Sequence, residues 1–256
     1  MKQVKRSISS KKLYYLFGIL ILATLWQVFS FYIGEDTMVF PGPFTTFSHA
    51  FYLLGRSYTY KCILATMSKM LYGFFVSLLL GLLLGIPAGN DERIALLLQP
   101  AIVALRAIPT ASLVYLFIVL AGFKKAPVYL VILIGFPIIY EGVKTGIGHV
   151  SKALINAARL DGASFFKENW RIRLPLAKPY IISAAASAFS LSFKIEIMAE
   201  VITGASNAGL GSAILGARSS DPTNMVPVFA YSLIAVALMI LIDHVSSLLR
   251  DKRSSN

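Results

Sequence analysis

Asn156-Ala157-Ala158-Arg159-Leu160-Asp161-Gly162, with Ile172-Arg173-Leu174-Pro175 after nine intervening residues, lies in the most basic internal segment of the chain, between two long apolar stretches. A polar connection of this length needs folded structure of its own, and its residue types predict two short helices hinged at a glycine. Ser151 can accept from the exposed N–H groups at the start of the first helix. Gly162 can end that helix in the left-handed conformation that residues with a Cβ resist. Ser164 is then placed to cap a second helix, and Pro175 to help end it.

The rest of the sequence is mostly membrane. Of 256 residues, 57% are hydrophobic and 14% charged, against roughly 25% charged in soluble domains. One soluble core cannot hide so much apolar surface, so the bilayer must act as solvent. A spanning helix needs about 20 mainly apolar residues, and six segments qualify: Leu13–Ile33, Ile63–Ala88, Ala101–Gly122, Pro127–Ile147, Pro179–Ile202 and Met225–Leu249. The predicted fold is all-α, a polytopic bundle of about six transmembrane helices forming one domain over residues 1–256. Basic residues before the first span (Lys2, Lys5, Arg6, Lys11, Lys12), between the second and third (Arg93), around 149–176, and after the sixth (Arg250, Lys252, Arg253) fall on one side. The positive-inside bias puts both termini and residues 149–176 in the cytoplasm, with the chain in the plasma membrane. The first span could alternatively be a cleaved signal peptide, but its length and the bulky Trp26-Gln27-Val28-Phe29 near its end favour an anchor.

The net charge of +12 does not point to nucleic acid, because the basic residues flank apolar spans rather than forming a separate basic surface. The single Cys62 excludes an internal disulfide. No Gly-x-x-x-x-Gly-Lys-Ser/Thr loop occurs, and His49, His149 and His244 lack metal-ligand spacing. We therefore expect no enzyme, no metal site and no cofactor in this chain.

Three features carry positional information. Gly73, Ser77, Gly81, Gly85 and Gly89 recur every four residues in the second span, a small-residue face suited to close helix packing. Pro100 and Pro109 bracket Arg106, which predicts a bent or broken third span interior to the bundle. Lys194, Glu196 and Glu200 are charged residues in an apolar segment, and Glu196 and Glu200 share a helix face that Lys194 does not. Such charges suit a translocation pathway or gate; an interhelical ion pair with Lys69 or Arg106 is the structural alternative. Outside the spans, Pro41-Gly42-Pro43 leads into an amphipathic stretch around Phe44–Leu54 that can lie at the external membrane surface or serve as a simple spacer.

The spacing of the opening stretch resembles the coupling loop of binding-protein-dependent ABC importer permeases: Glu-Ala-Ala, three residues, Gly, nine residues, Ile, one residue, Leu-Pro. Every spacing matches, and Asn156 stands where that family usually has glutamate. Leu105-Arg106-Ala107-Ile108-Pro109-Thr110, Gly122, and Met198-Ala199-Glu200 followed by Gly209-Leu210-Gly211 resemble the nitrate, sulfonate and taurine branch. The resemblance implies a permease subunit that moves a small solute, with nitrate, a sulfonate or taurine as candidates; related permeases handle thiamine precursors. It implies that Asn156, Ala157, Ala158, Arg159, Asp161 and Gly162 engage a cytoplasmic ATPase, which would bind ATP and Mg. Leu174 and Pro175 would fix the entry to the fifth span. It further implies an extracytoplasmic substrate-binding protein, a second permease copy, and lipid as surroundings. An ion-coupled secondary transporter using Glu196 and Glu200 is the competing class.

Overall fold

The computed structural model describes residues 2–33, 39–204 and 208–251, and no strand occurs among them. Eleven helices are described: α1 Lys2–Ile33, α2 Pro43–Leu54, α3 Ser57–Asn90, α4 Glu92–Ala107, α5 Thr110–Ala121, α6 Ala126–Gly148, α7 Lys152–Leu160, α8 Phe165–Glu168, α9 Leu174–Thr203, α10 Leu210–Ser220 and α11 Val226–Asp251. A π-helical turn, Asn169–Arg173, joins α8 to α9. Internal contacts divide the chain into two units, residues 1–60 with 213–235, and residues 61–212 with 236–256.

In the first unit the end of α1 is tied to the connector that follows it. Trp26 Nε1 donates to the carbonyl of Pro41 at 3.0 Å, and the buried Ser30 hydroxyl donates to Phe40 at 2.9 Å. Gly42 precedes α2 and Pro43 opens it, where the missing proline N–H costs nothing. Thr46, Ala50 and Leu53 are buried while Phe44 and Phe51 are exposed, the amphipathic arrangement expected of this stretch.

The second unit is organised around α6, on which two other long helices pack. A Cβ added at Gly73, Gly81, Gly85 or Gly89 would lie 2.5 to 2.7 Å from side-chain carbons of Val131, Ile139, Val143 and Ile147 respectively. At Gly135 it would meet Ser77 Oγ at 2.9 Å. The ladder on α3 therefore meets a matching ladder on α6, always at the same 58-residue separation (73 with 131, 89 with 147). A constant separation means that the two helices run parallel. On another face of α6 the order is reversed: Gly142 meets Ala184 and Gly146 meets Tyr180, so α9 runs antiparallel to α6.

That parallel pairing decides how the third predicted span works. Among the described residues, five helical segments are long and apolar enough to cross a membrane, and α4 with α5 qualifies only as a pair bent by 99°. At 12 residues, α5 extends about 18 Å, short of the roughly 30 Å hydrocarbon layer. Because α6 starts at the end of the bundle where α3 starts, the α4–α5 pair must return the chain across the layer, giving six crossings. The single span expected at Ala101–Gly122 is thus two helices. The break falls at Ile108-Pro109, where Ile108 is extended because the following proline ring disfavours helical backbone; Pro100 stays inside α4. The interior position expected for this span is also corrected. Within the chain α4 buries only Ile102, and α5 only Leu113 and Val114, because each presents one face to its neighbours.

Candidate functional site

Residues 149–176 fold as two short helices around a hinge. Gly162 takes φ +76°, the left-handed region, and its N–H donates to Arg159 O. The Ser164 hydroxyl accepts from the N–H of Lys167, so it caps α8 as expected. Ser151 occupies the N-cap of α7 but its side chain accepts no hydrogen bond, which corrects the capping expected there. Pro175 does not end a helix. It lies in the first turn of α9, where proline is well tolerated, and the helical run continues unbroken from Phe165 to Thr203. A run of 39 residues is about 58 Å long, far more than a membrane needs, so its first turns project beyond the layer.

On α7 the only buried side chain is Ile155; Asn156 and Ala157 are exposed, and Arg159 is half exposed. Small exposed side chains on a projecting helix let another protein approach closely. What fixes α7 was not foreseen from the sequence. Glu168, 1% exposed, sits beneath it and binds two arginines. Arg159 donates from Nε to Oε2 at 2.9 Å and from Nη2 to Oε1 at 3.3 Å; Arg173 donates from Nε to Oε1 at 2.7 Å. The hydrogen bond to Glu168, reinforced by its charge, raises the Arg159 guanidinium above its ordinary value. Arg173 also donates to the carbonyl of Ile147 at the end of α6 (3.4 Å), and Asn90 at the end of α3 donates to Asn169 Oδ1 at 2.7 Å. Glu168 lies nine residues after Arg159 and five before Arg173; none of these separations is a helical pair within one regular helix, so no sequence signal marked the cluster. Phe165, Phe166 and Trp170 remain exposed beside it, the last two stacked at 5.9 Å.

The other charged cluster separates as helix geometry requires. Lys194 is exposed on one face of α9, while Glu196 and Glu200 are fully buried on another. Glu200 Oε1 pairs with Lys69 Nζ at 2.7 Å, and Oε2 accepts from Thr66 Oγ1 at 2.8 Å and from the N–H of Gly211 at 3.0 Å. Thr66 in turn accepts from the N–H of Leu210 at 2.8 Å. A Cβ at Gly209 would lie 2.3 Å from Glu200 Oε1, and one at Gly211 2.4 Å from the carbonyl of Ile197. The Gly209-Leu210-Gly211 segment therefore wraps a carboxylate that also satisfies the start of α10. Lys69, rather than Arg106, is the cation of this cluster. One turn earlier, both carboxylate oxygens of Glu196 are buried without a hydrogen-bond partner. Among the described residues no group of three or more His, Cys, Asp or Glu could hold a metal ion.

A short helix with small exposed side chains, tied through Glu168 and Asn169 to the ends of α3, α6 and α9, is a surface that another protein can reach. Residues 77–254 match the family described as the binding-protein-dependent transport system inner membrane component. The chain belongs to that family. It is 27% identical to the aliphatic sulfonates transport permease SsuC of Bacillus subtilis, over 80% of this chain and 74% of that protein. It is 26% identical to the bicarbonate transport system permease CmpB of Synechococcus elongatus, over 72% of this chain and 70% of the relative. These relatives agree with the nitrate and sulfonate branch of the permeases. Among solved structures, a chain of the MetNI methionine ABC transporter in an inward-facing conformation superposes with a TM-score of 0.60, at 19% identity over 75% of this chain and 93% of that one. A chain of an amino acid ABC transporter crystallised with histidines gives 0.62, at 18% identity over 76% and 93%. The fold is that of ABC importer permeases, and the chain is a membrane-embedded permease subunit rather than an enzyme.

Proposed function

We propose that this permease forms half of the translocation path of an ATP-driven importer for a small solute of the nitrate, sulfonate or taurine class. Two copies surround the path. A cytoplasmic ATPase holding ATP and Mg docks on each α7 through Asn156, Ala157, Ala158, Arg159, Asp161 and Gly162, and Leu174 and Pro175 set the entry of α9. An extracytoplasmic binding protein delivers the solute. Both termini lie in the cytoplasm of a cell whose plasma membrane lipid surrounds the bundle. The exposed face of α7, fixed from below through Arg159 to the buried Glu168, is the observation that carries this reading.

In this mechanism the ATPases close on ATP and press on both α7 helices. Only differential contact between two global states can drive the change, and α7 is the segment positioned to supply it. Access then alternates between the two sides of the membrane. Lys194, Glu196 and Glu200 belong to the path or its gate. Within that assignment the Glu200 knot is the gating element, since it joins α3, α9 and the start of α10. The deciding assay is uptake of radiolabelled taurine or a short alkanesulfonate into proteoliposomes containing permease, ATPase and binding protein, with ion gradients collapsed. ATP-dependent uptake is expected. Uptake that ignores ATP and follows a proton or sodium gradient would replace this reading with an ion-coupled carrier.

A further inference from the structure

We propose that Glu168 is a positioning residue: it makes α7 and the cytoplasmic ends of the membrane helices move as one body. This rests on reading α7 as the ATPase contact. A nine-residue helix is too short to hold its own shape or direction, and α7 buries a single side chain, Ile155. Its other side-chain anchor is Arg159, half exposed, reaching down to a carboxylate that is almost wholly buried. That carboxylate is shared with Arg173, itself buried and bonded to the last turn of α6. The next residue, Asn169, receives Asn90 from the end of α3. A displacement of α7 therefore reaches α3, α6 and α9 through two consecutive residues.

Glutamine at 168 keeps the size but not the charge. It cannot satisfy two guanidinium groups, and Arg173 is left buried without a counter-charge, an arrangement more costly than the pair itself. In Glu168→Gln, α7 should keep its sequence-encoded surface yet lose its fixed direction relative to α9.

The test uses the complex with its ATPase in nanodiscs, carrying Cys62→Ser, Lys152→Cys and Lys178→Cys. These place spin labels on exposed positions of α7 and α9. Pulsed electron paramagnetic resonance gives the distance distribution without nucleotide and with ATP plus vanadate. With Glu168 present one narrow distribution is expected in both conditions. Glu168→Gln should broaden it at least twofold and let nucleotide shift the α7 label relative to α9. A distribution as narrow as wild type in both conditions overturns the proposal. If Glu168→Gln does not reach the membrane, Arg173→Gln replaces it: broadening supports the proposal and an unchanged width overturns it. Arg173→Lys, which keeps the charge, should recover most of the wild-type width; a loss of stability unrelated to the ion pairs would not follow charge in this way. A permease that co-purifies with no ATPase refutes the docking reading instead, and the nucleotide-free width still tests the clamp.

Discussion

Glu200 receives an ammonium, a hydroxyl and a backbone N–H in a space that two glycines leave open. Glu200→Gln retains hydrogen-bonding capacity but leaves Lys69 without its counter-charge. Breaking a buried ion pair from one side costs about 3 kcal/mol, so we expect a clear fall in the unfolding midpoint of the purified permease, measured by intrinsic fluorescence. Transport should fall further than stability if the knot gates the path as proposed, while ATPase co-purification stays at the wild-type level. Gly211→Ala should be worse for folding, since its Cβ would collide with the backbone carbonyl of Ile197 rather than with a flexible side chain. Wild-type stability for Gly211→Ala would mean that α9 and α10 are not packed this tightly. The charges of this cluster were legible in the sequence as residues out of place in an apolar segment, and Lys69 was among the partners considered. Thr66 was not, because a pairing across more than 130 residues leaves no local pattern, and Gly209 and Gly211 stood out through the family resemblance rather than as partners of Glu200.

At the scale of the helix, the period-four ladder on α3 could be read directly, since spacing of four places residues on one face. Its partner could not. The matching positions on α6 are Val131, Gly135, Ile139, Val143 and Ile147, four of them β-branched, which look like ordinary membrane residues until the two helices are seen side by side. Gly85→Leu tests the pairing. A leucine there must displace Val143, and overpacking of a tight core costs about 1–3 kcal/mol or more. A lower melting temperature in detergent is expected, with Leu83→Ile, on the exposed face, unchanged. An unaltered melting profile for Gly85→Leu would show that this face meets lipid. The coupling segment was legible for the same reason as the ladder: Gly162 and Ser164 act locally and their roles follow from residue type. Pro175 was misjudged because proline both stops and starts helices, and only the path of the following chain distinguishes them.

For the molecule as a whole, hydropathy marked six apolar segments, and five of them lie in helices that are each long and apolar enough to cross a membrane. The bend of the sixth was visible only as two prolines around an arginine, and its size depends on packing that hydropathy does not encode. The parallel course of α3 and α6 constrains the topology independently of charge counting, because it requires an odd number of crossings between them. Cysteines at Ser151 and Ser164 in a Cys62→Ser background should therefore react with impermeant maleimides in inside-out vesicles and resist them in intact cells. The reverse pattern would invert the whole assignment. A cysteine at Arg218, in the exposed part of α10, should label from outside.

The π-helical turn at Asn169–Arg173 sets an angular phase between the loop and the membrane. Each residue of an α-helix advances the chain by about 100°, and a π turn holds one residue more than regular winding allows. Everything on its N-terminal side is thus rotated relative to α9. Deleting one residue from the turn would restore regular winding and swing Glu168 away from Arg173 by roughly that angle. α7 would then point to a different quarter of the molecule, with every residue of its outward surface unchanged.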